Sequence, residues 1–326
     1  MEKIIRKKRC GRERKRASGW SDLAVKHRIK TILVKLFVYL LLLEIAFIIV
    51  FPLLSKLSAS LMSSSDMYDR NVLFIPKSPT LENYVTVFKE AFFLDSLKNT
   101  FLISLTAAVL QTLVCAMTGY GLAKIKSKLG GLMLLFVVLT ILIPPQIILV
   151  PMFLKFRFFD IGGVIEAITG SSITLMNSIW PIVILSATGL AFKNGLYIFI
   201  MRQFYKGIPE EIEEASYIDG YGIFRTYFKI VLPMSVPMMT TVFMFSFSWQ
   251  WTDTFYSGMF FSDLHVLANT IFTMTSAFHS GSFAGNFSTS ALLQTGVLMA
   301  ILPLVIIYVF AQRKIIGGIE RSGLVG

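Results

Sequence analysis

The residues that could carry out catalytic chemistry in this sequence are few and scattered. His27, His265 and His279 lie far apart. Cys10 lies in a basic tail and Cys115 in an apolar run, so the two would not form a bridge across a membrane interface. No cluster has the spacing of a metal site or of a nucleophile with its base. The phosphate-binding pattern G-x-x-x-x-G-K-S/T is also missing from the sequence. These features argue against an enzyme, a bound cofactor or a metal centre.

Polar and aromatic residues inside long apolar runs form a second group with chemical potential. Polar groups at membrane depth are costly and therefore mark candidate solute pathways. The candidates are Trp249, Trp251, Asp253, Gln111 and Gln294. The indole faces could support an apolar face of a solute, while the carboxylate or a glutamine takes its hydrogen bonds. The alternative is that the tryptophans and the aspartate lie at the membrane interface, the tryptophans as anchors.

A third group of residues predicts a helix, a turn and a second helix between two apolar runs. Pro209 suits a first helical position, and the glutamates that follow it complement the positive end of the helix dipole. Gly220 is a natural helix stop because glycine adopts positive φ at little cost. The second helix runs to Pro233, which can open the next apolar run.

One face of the first of these helices carries small residues. Ile212, Ala215, Ser216 and Asp219 have helical spacing, and the small side chains would let another surface approach the backbone. Such a helix suits docking into a groove of a partner protein. The alternative is a helix that rests on lipid, although its four glutamates would be repelled by an anionic membrane.

Composition requires a membrane around this chain. Its 326 residues are 55% hydrophobic and 15% charged, with a mean hydropathy of +0.69. An apolar helix of roughly 20 residues crosses a bilayer. Segments of that kind lie near residues 36–54, 100–123, 132–154, 179–201, 234–261 and 291–311. We therefore predict an all-α integral membrane protein of about six spans, with a kink at Pro144–Pro145 and a break or cap at Lys193. Glu44 would face protein.

The distribution of basic residues predicts the orientation. Residues 1–35 form a basic tail, which fits a cytoplasmic flank near anionic lipid better than a nucleic-acid site. With this tail inside, the shorter loops rich in Lys and Arg also fall inside. Both termini are then cytoplasmic, with the chain in the cell membrane. A cleaved signal peptide ending near residues 58–60 is the alternative for the first run.

The predicted organisation follows from these segments. Residues 1–35 are the tail, 36–54 the first span and 55–95 an outer loop, in which residues 81–92 form a short amphipathic helix or a solvated linker. Residues 96–312 hold five helices and the loop 203–233, and residues 313–326 form a second tail.

The signature in the loop 203–233 resembles the "EAA" motif of permease subunits in binding-protein-dependent ATP-driven importers of the maltose type. The motif reads E-A-A, three residues, G, nine residues, I-x-L-P, and serine replaces its second alanine here. The matching residues are Glu214, Ala215, Ser216, Asp219 within the spacer, Gly220, Ile230, Leu232 and Pro233. The stretch 119–124 also resembles this family, and the stretches 249–253 and 317–326 are similar to its carbohydrate branch.

The resemblance implies partners and a mechanism. Two separate ATPase subunits would use the ATP and push the helix around Glu214–Gly220. A second homologous permease would complete the pathway, and an extracytoplasmic solute-binding protein would deliver a sugar or oligosaccharide. A non-sugar solute on the same fold is one alternative. A secondary transporter is another, although the isolated Glu44, Lys193 and Asp253 do not form the charge pairs it would need.

Overall fold

The computed structural model describes residues 2–90, 92–125, 127–271 and 289–323. His279, Lys126 and the last three residues of the predicted C-terminal tail lie outside the described residues. The chain divides into two compact units, Met1–Ser58 and Ala59–Gly326. The helices are α1 Glu2–Ser60, α2 Ser64–Tyr68, α3 Glu82–Glu90, α4 Phe93–Lys124, α5 Gly130–Leu142, α6 Pro145–Arg157, α7 Val164–Thr169, α8 Trp180–Ala187, α9 Asn194–Lys206, α10 Glu210–Ile218, α11 Ile223–Thr226, α12 Leu232–Trp251, α13 Phe255–Phe260 and α14 Thr289–Gly323.

Among the described residues, four segments are long and apolar enough to cross a bilayer: Ile29–Ser60, Phe93–Lys124, Ile223–Trp251 and Ser290–Arg313. A π-helical turn, Tyr227–Val231, joins α11 to α12 within the third of them. The helices α5 and α6 together could form a fifth span, bent by 97° at their junction. The predicted kink at Pro144–Pro145 is thereby confirmed, since Pro145 opens α6 where its missing amide hydrogen costs nothing.

The predicted fourth span is divided into α8 and α9, each too short to cross a bilayer alone. The break lies between Gly189 and Lys193, both of which have positive φ, at 75° and 70°. The prediction that Lys193 breaks or caps this span is confirmed, because Lys193 is the residue that precedes the first turn of α9. The apolar run continues across this break, so the position of Lys193 inside the run predicted the break and apolar periodicity did not.

The centre of the second unit is α4, which packs against α8, α9 and α12. Small residues on α4 permit this, since Ala107, Ala108 and Ala116 are fully buried. At Gly119 a side chain is excluded: a Cβ there would lie 2.7 Å from the Cβ of Met201. Close helix approach at small residues is the usual packing mode of membrane helices.

The outer loop contains the predicted short helix, α3, and the solvated-linker alternative is wrong for residues 82–90. This helix packs against α14 and α4. Its buried residues are Asn83 and Val87, whereas Val85 and Phe88, on the predicted apolar face, are exposed. The Asn83 amide donates to the carbonyl oxygens of Ser60 and Met62, both at 2.9 Å, and so ties α3 to the start of the loop.

Candidate functional site

The helix–turn–helix signature folds as the spacing predicts, into α10, a tight turn and α11, which together we name the hairpin (residues 210–226). Pro209 precedes the first helical residue rather than occupying it. Gly220 has φ of 82° and closes α10. The Tyr221 amide donates to the Ser216 carbonyl and the Gly220 amide to the Tyr217 carbonyl, both at 3.0 Å. This pair of bonds is the Schellman pattern of helix ends.

The predicted small-residue face of α10 is divided by the structure. Ser216 is only 2% exposed and packs inside the hairpin, where its hydroxyl lies 2.7 Å from that of Thr226 on α11. The Ser216 hydroxyl also donates to the Glu213 carbonyl at 2.7 Å. Ala215 and Asp219 are exposed. The small residue at position 216 therefore lets α11 approach α10, instead of receiving another protein.

The outward side of the hairpin carries residues that the sequence reasoning overlooked. Ile218 is 87% exposed and Phe224 is 71% exposed, one on each side of the turn at Gly220. Glu214 is exposed beside them. Large apolar side chains at such exposure are candidates for contact with another molecule. Both residues are large and apolar in the sequence, but neither was predicted to be a site residue.

The inward side of the hairpin is fixed to α4 and to the start of α12. Lys124, at the end of α4, lies 3.5 Å from a carboxylate oxygen of Glu213 and donates to the Ile208 carbonyl at 2.7 Å. The remaining signature residues, Ile230, Leu232 and Pro233, lie on the path into α12. Ile230 and Leu232 are half-buried there, whereas Pro233 is exposed in the first turn.

A cavity of about 200 Å³ lies among α4, α9, α12 and α13. Its walls include Gln111, Phe192, Tyr197, Ser246, Trp249, Gln250 and Asp253. Trp249 is half exposed and meets the Phe192 ring edge-on, with ring centroids 6.0 Å apart. The Lys193 ammonium lies 4.5 Å from the Trp249 ring centroid and 4.6 Å from that of Phe192. Aromatic faces with adjacent polar groups are typical of small-molecule sites.

The two candidate tryptophans do not lie together. Trp251 is 4% exposed and is absent from the walls of the 200 Å³ cavity. Its indole N–H donates to the Ala300 carbonyl on α14 at 3.0 Å, and its ring packs against Phe247. Trp251 therefore joins α12 to α14, while Trp249 is the indole that reaches the cavity. Gln294, on α14, is half-buried and also lies off the cavity wall.

The polar candidates on the cavity wall are already engaged by the fold. Asp253 accepts the amide hydrogens of Phe255, Tyr256 and Ser257 and so caps α13. Gln111 is buried. Its carbonyl oxygen accepts from the Ser246 hydroxyl at 2.8 Å, and its amide lies 3.4 Å from the Ser186 hydroxyl. Asp253 and Gln111 thus hold the helices around the cavity.

Two other residues that line the cavity, Gln250 and Tyr197, have polar atoms without hydrogen-bond partners in the described part of the chain. These atoms are the buried Gln250 amide nitrogen and the Tyr197 hydroxyl. Buried polar atoms of this kind are rare and call for an explanation such as a ligand or water. Gln250 lies between the two tryptophans in the sequence, and its position inside a mixed polar–aromatic run was the signal that could have found it.

Comparison with known proteins identifies the fold. The family described as "Binding-protein-dependent transport system inner membrane component" matches residues 115–316. The arabinooligosaccharides transport system permease protein AraQ of Halalkalibacterium halodurans is 28% identical over 291 residues, which cover 86% of this chain and 93% of AraQ. The galactooligosaccharides transport system permease protein GanQ of Bacillus subtilis is 27% identical over 311 residues, 94% of this chain and 99% of GanQ.

A solved structure has a similar fold. A bacterial ABC transporter involved in the import of the acidic polysaccharide alginate matches with a TM-score of 0.68 and 19% identity, over 84% of this chain and 94% of that chain. The predicted class, a helical membrane permease of the importer type and not an enzyme, is confirmed. Because the matched residues make up more than half of the sequence, the chain belongs to the family of inner membrane components of binding-protein-dependent transport systems.

Proposed function

We propose that this permease carries a sugar or oligosaccharide, and that the cavity beside Trp249 is part of its pathway. The observation that carries the proposal is that the residues lining the cavity combine an indole face with an unpaired Gln250 amide nitrogen and an unpaired Tyr197 hydroxyl. Sugars offer apolar ring faces together with hydroxyl groups, so both features are matched. The substrates named for AraQ and GanQ agree with this class.

The hairpin is the element through which we propose that ATPase subunits act on the permease. Its outward side presents Ile218 and Phe224, and its turn is closed by the Gly220 hydrogen bonds. The permease would pair with a second, homologous permease and two ATPase subunits, which bind and hydrolyse the ATP. An extracytoplasmic binding protein would supply the solute. Both termini of the chain would then be cytoplasmic, as the distribution of basic residues predicts.

Uptake measurements test the substrate class. Proteoliposomes that contain the complete transporter should take up radiolabelled arabino- or galacto-oligosaccharides, and Trp249→Ala should lower that uptake about tenfold, the loss expected when about 1.4 kcal/mol of binding is removed. Trp180→Ala is the matched control, because Trp180 is similarly exposed on α8 but does not line the cavity. Equal uptake by both variants would remove the cavity from the pathway. Uptake restricted to non-sugar solutes would contradict the carbohydrate class.

Crosslinking tests the hairpin. Ile218→Cys, in a background with Cys10→Ser and Cys115→Ala, should form a crosslink to an ATPase subunit when it carries a short maleimide–diazirine photocrosslinker and is illuminated. Ser171→Cys, in the loop between α7 and α8, should form none and is the control. A full set of hairpin cysteines that never captures an ATPase subunit would overturn the coupling proposal.

A further inference from the structure

The end of α4 contacts the hairpin through a buried ion pair that the EAA signature does not include. Lys124 and Glu213 are only 7% and 10% exposed at their side chains, with the ammonium 3.5 Å from the carboxylate. Within the described ranges, this carboxylate oxygen, Oε1 of Glu213, has no hydrogen-bond partner. A buried carboxylate with so little other support depends strongly on its counter-charge.

Lys124 also contacts the segment that enters the hairpin. Its ammonium donates to the Ile208 carbonyl at 2.7 Å, so one side chain holds both the entry to α10 and a residue in its first turn. One turn earlier on α4, the Tyr120 ring packs between those of Tyr205 and Tyr227, with centroids 5.6 and 4.8 Å away. The hairpin is thus held to α4 from both the α9 side and the α11 side.

The same helix reaches the cavity. Gln111 lies thirteen residues before Lys124 on the continuous helix α4, a distance of about 20 Å along the axis. Its hydrogen bonds to Ser246 and Ser186 connect α4 to α12 and α8. An uninterrupted helix therefore has one end fixed to the hairpin and its middle fixed to the helices around the cavity.

We infer that Lys124 is a positioning residue that makes the hairpin and α4 move as one body, so that displacement of the hairpin reaches the cavity wall through α4. The inference rests on the proposed coupling function of the hairpin. In this role Lys124 and Glu213 contact neither the solute nor an ATPase subunit. They act by preventing the hairpin from sliding relative to α4.

A distance measurement on the full transporter tests this inference without knowledge of the solute. Spin labels would be placed at Ile218→Cys on the hairpin and at Leu113→Cys on the exposed side of α4, with Cys10→Ser and Cys115→Ala. The label distance should be the same without nucleotide and with ATP and vanadate. In Lys124→Met, the distance should change by about 2 Å or more between these states, the scale of helix shifts in switching proteins.

Three further variants keep the test decisive. Lys124→Arg should behave as the unsubstituted protein, because it retains the charge and the donors, and Lys128→Met should do so because Lys128 is exposed. Glu213→Gln removes the charge while leaving the Ile208 contact, and it should loosen the hairpin as Lys124→Met does. If Lys124→Met fails to assemble, Glu213→Gln decides the question. A constant label distance in Glu213→Gln would overturn the inference.

A second measurement distinguishes a failure of this inference from a failure of the proposed coupling function. The Ile218→Cys crosslink to the ATPase is measured in the same variants and should persist at the level of the unsubstituted transporter. Loss of the crosslink in every form of the protein would contradict the coupling role of the hairpin. A persistent crosslink together with a constant label distance in Lys124→Met and in Glu213→Gln would contradict only the role of Lys124. A purely structural lysine would lower the yield of complex and leave the distance constant.

Discussion

Gly220 shows how one residue shapes the hairpin. Its φ of 82° lies in the left-handed region, and the space around its missing side chain is open. Gly220→Ala should therefore cost about 1 kcal/mol through backbone strain alone, without any clash. Loosening of the turn should reduce solute-stimulated ATP hydrolysis while membrane insertion is retained.

Gly222→Ala is the matched control for this prediction. Gly222 lies two residues away, is equally open, and has φ of −84°, which any residue can adopt. Stimulated hydrolysis in proteoliposomes should be close to the unsubstituted level in Gly222→Ala and clearly lower in Gly220→Ala. Equal rates for the two variants would show that the left-handed turn is dispensable for coupling.

The two tryptophans of α12 should respond differently to truncation. Trp251 is buried and hydrogen-bonded to Ala300, so Trp251→Ala should lower the stability of the second unit by about 3–5 kcal/mol. Trp249 is half exposed, and its truncation should change stability far less while impairing uptake. Thermal unfolding of the detergent-solubilised protein gives the comparison. A melting temperature lowered equally in both variants would refute this division of roles.

At the scale of elements, contact between α4 and α9 depends on Gly119. A Cβ at this position would lie 2.7 Å from the Met201 Cβ and 3.0 Å from the Arg202 backbone nitrogen, neither of which can rotate away. Gly119→Ala should therefore destabilise the protein by about 1–3 kcal/mol. Gly121→Ala, two residues on, meets only Ile125 at 3.9 Å and is the control. A melting temperature unchanged by Gly119→Ala would contradict the close approach.

Sequence predicted those elements that are set by local chemistry. The bend at Pro144–Pro145, the break at Lys193 and the hairpin turn at Gly220 all follow from backbone preferences within a few residues. The residues that line the cavity could not be predicted in this way. Trp249 and Trp251 are two positions apart on a helix, which places them about 200° apart around its axis. Which of them faces the cavity is decided by the packing of α4, α9 and α14, and no local pattern encodes that.

Ser216 and Glu213 illustrate the same limit at the hairpin. Spacing placed Ile212, Ala215, Ser216 and Asp219 on one face, but the structure buries Ser216 against Thr226 and exposes Ala215. The cause is the turn at Gly220, which folds α11 back over part of that face. The partner of Glu213 is Lys124, which lies far away in the sequence. From the sequence, Lys124 was identified only as the last residue of the stretch 119–124 that resembles the permease family.

At the scale of the whole molecule, the apolar surface defines what must surround the protein. In an apolar stretch of 18 residues within each span, no residue of Ile29–Ser60 is buried within the chain and 22% are buried in Ser290–Arg313, whereas half are buried in Phe93–Lys124. Exposed helical surface of this hydropathy requires hydrocarbon or another apolar protein around it. Within the second unit, α4 and α12 line the cavity, whereas α14 leaves most of its apolar surface available to lipid or to the second permease of the proposed assembly.

The orientation of the chain in the membrane gives the last prediction. Basic residues favour the cytoplasmic side of a membrane. Lys124 and Lys128 precede α5, whereas the segment between α7 and α8 contains neither lysine nor arginine. In a background with Cys10→Ser and Cys115→Ala, Ser171→Cys should react with a membrane-impermeant maleimide added to intact cells. Ser127→Cys, equally exposed, should react only after the membrane is opened. The reverse pattern would place the hairpin outside the cell, where ATPase subunits cannot reach it, and would contradict the proposed coupling through residues 210–226.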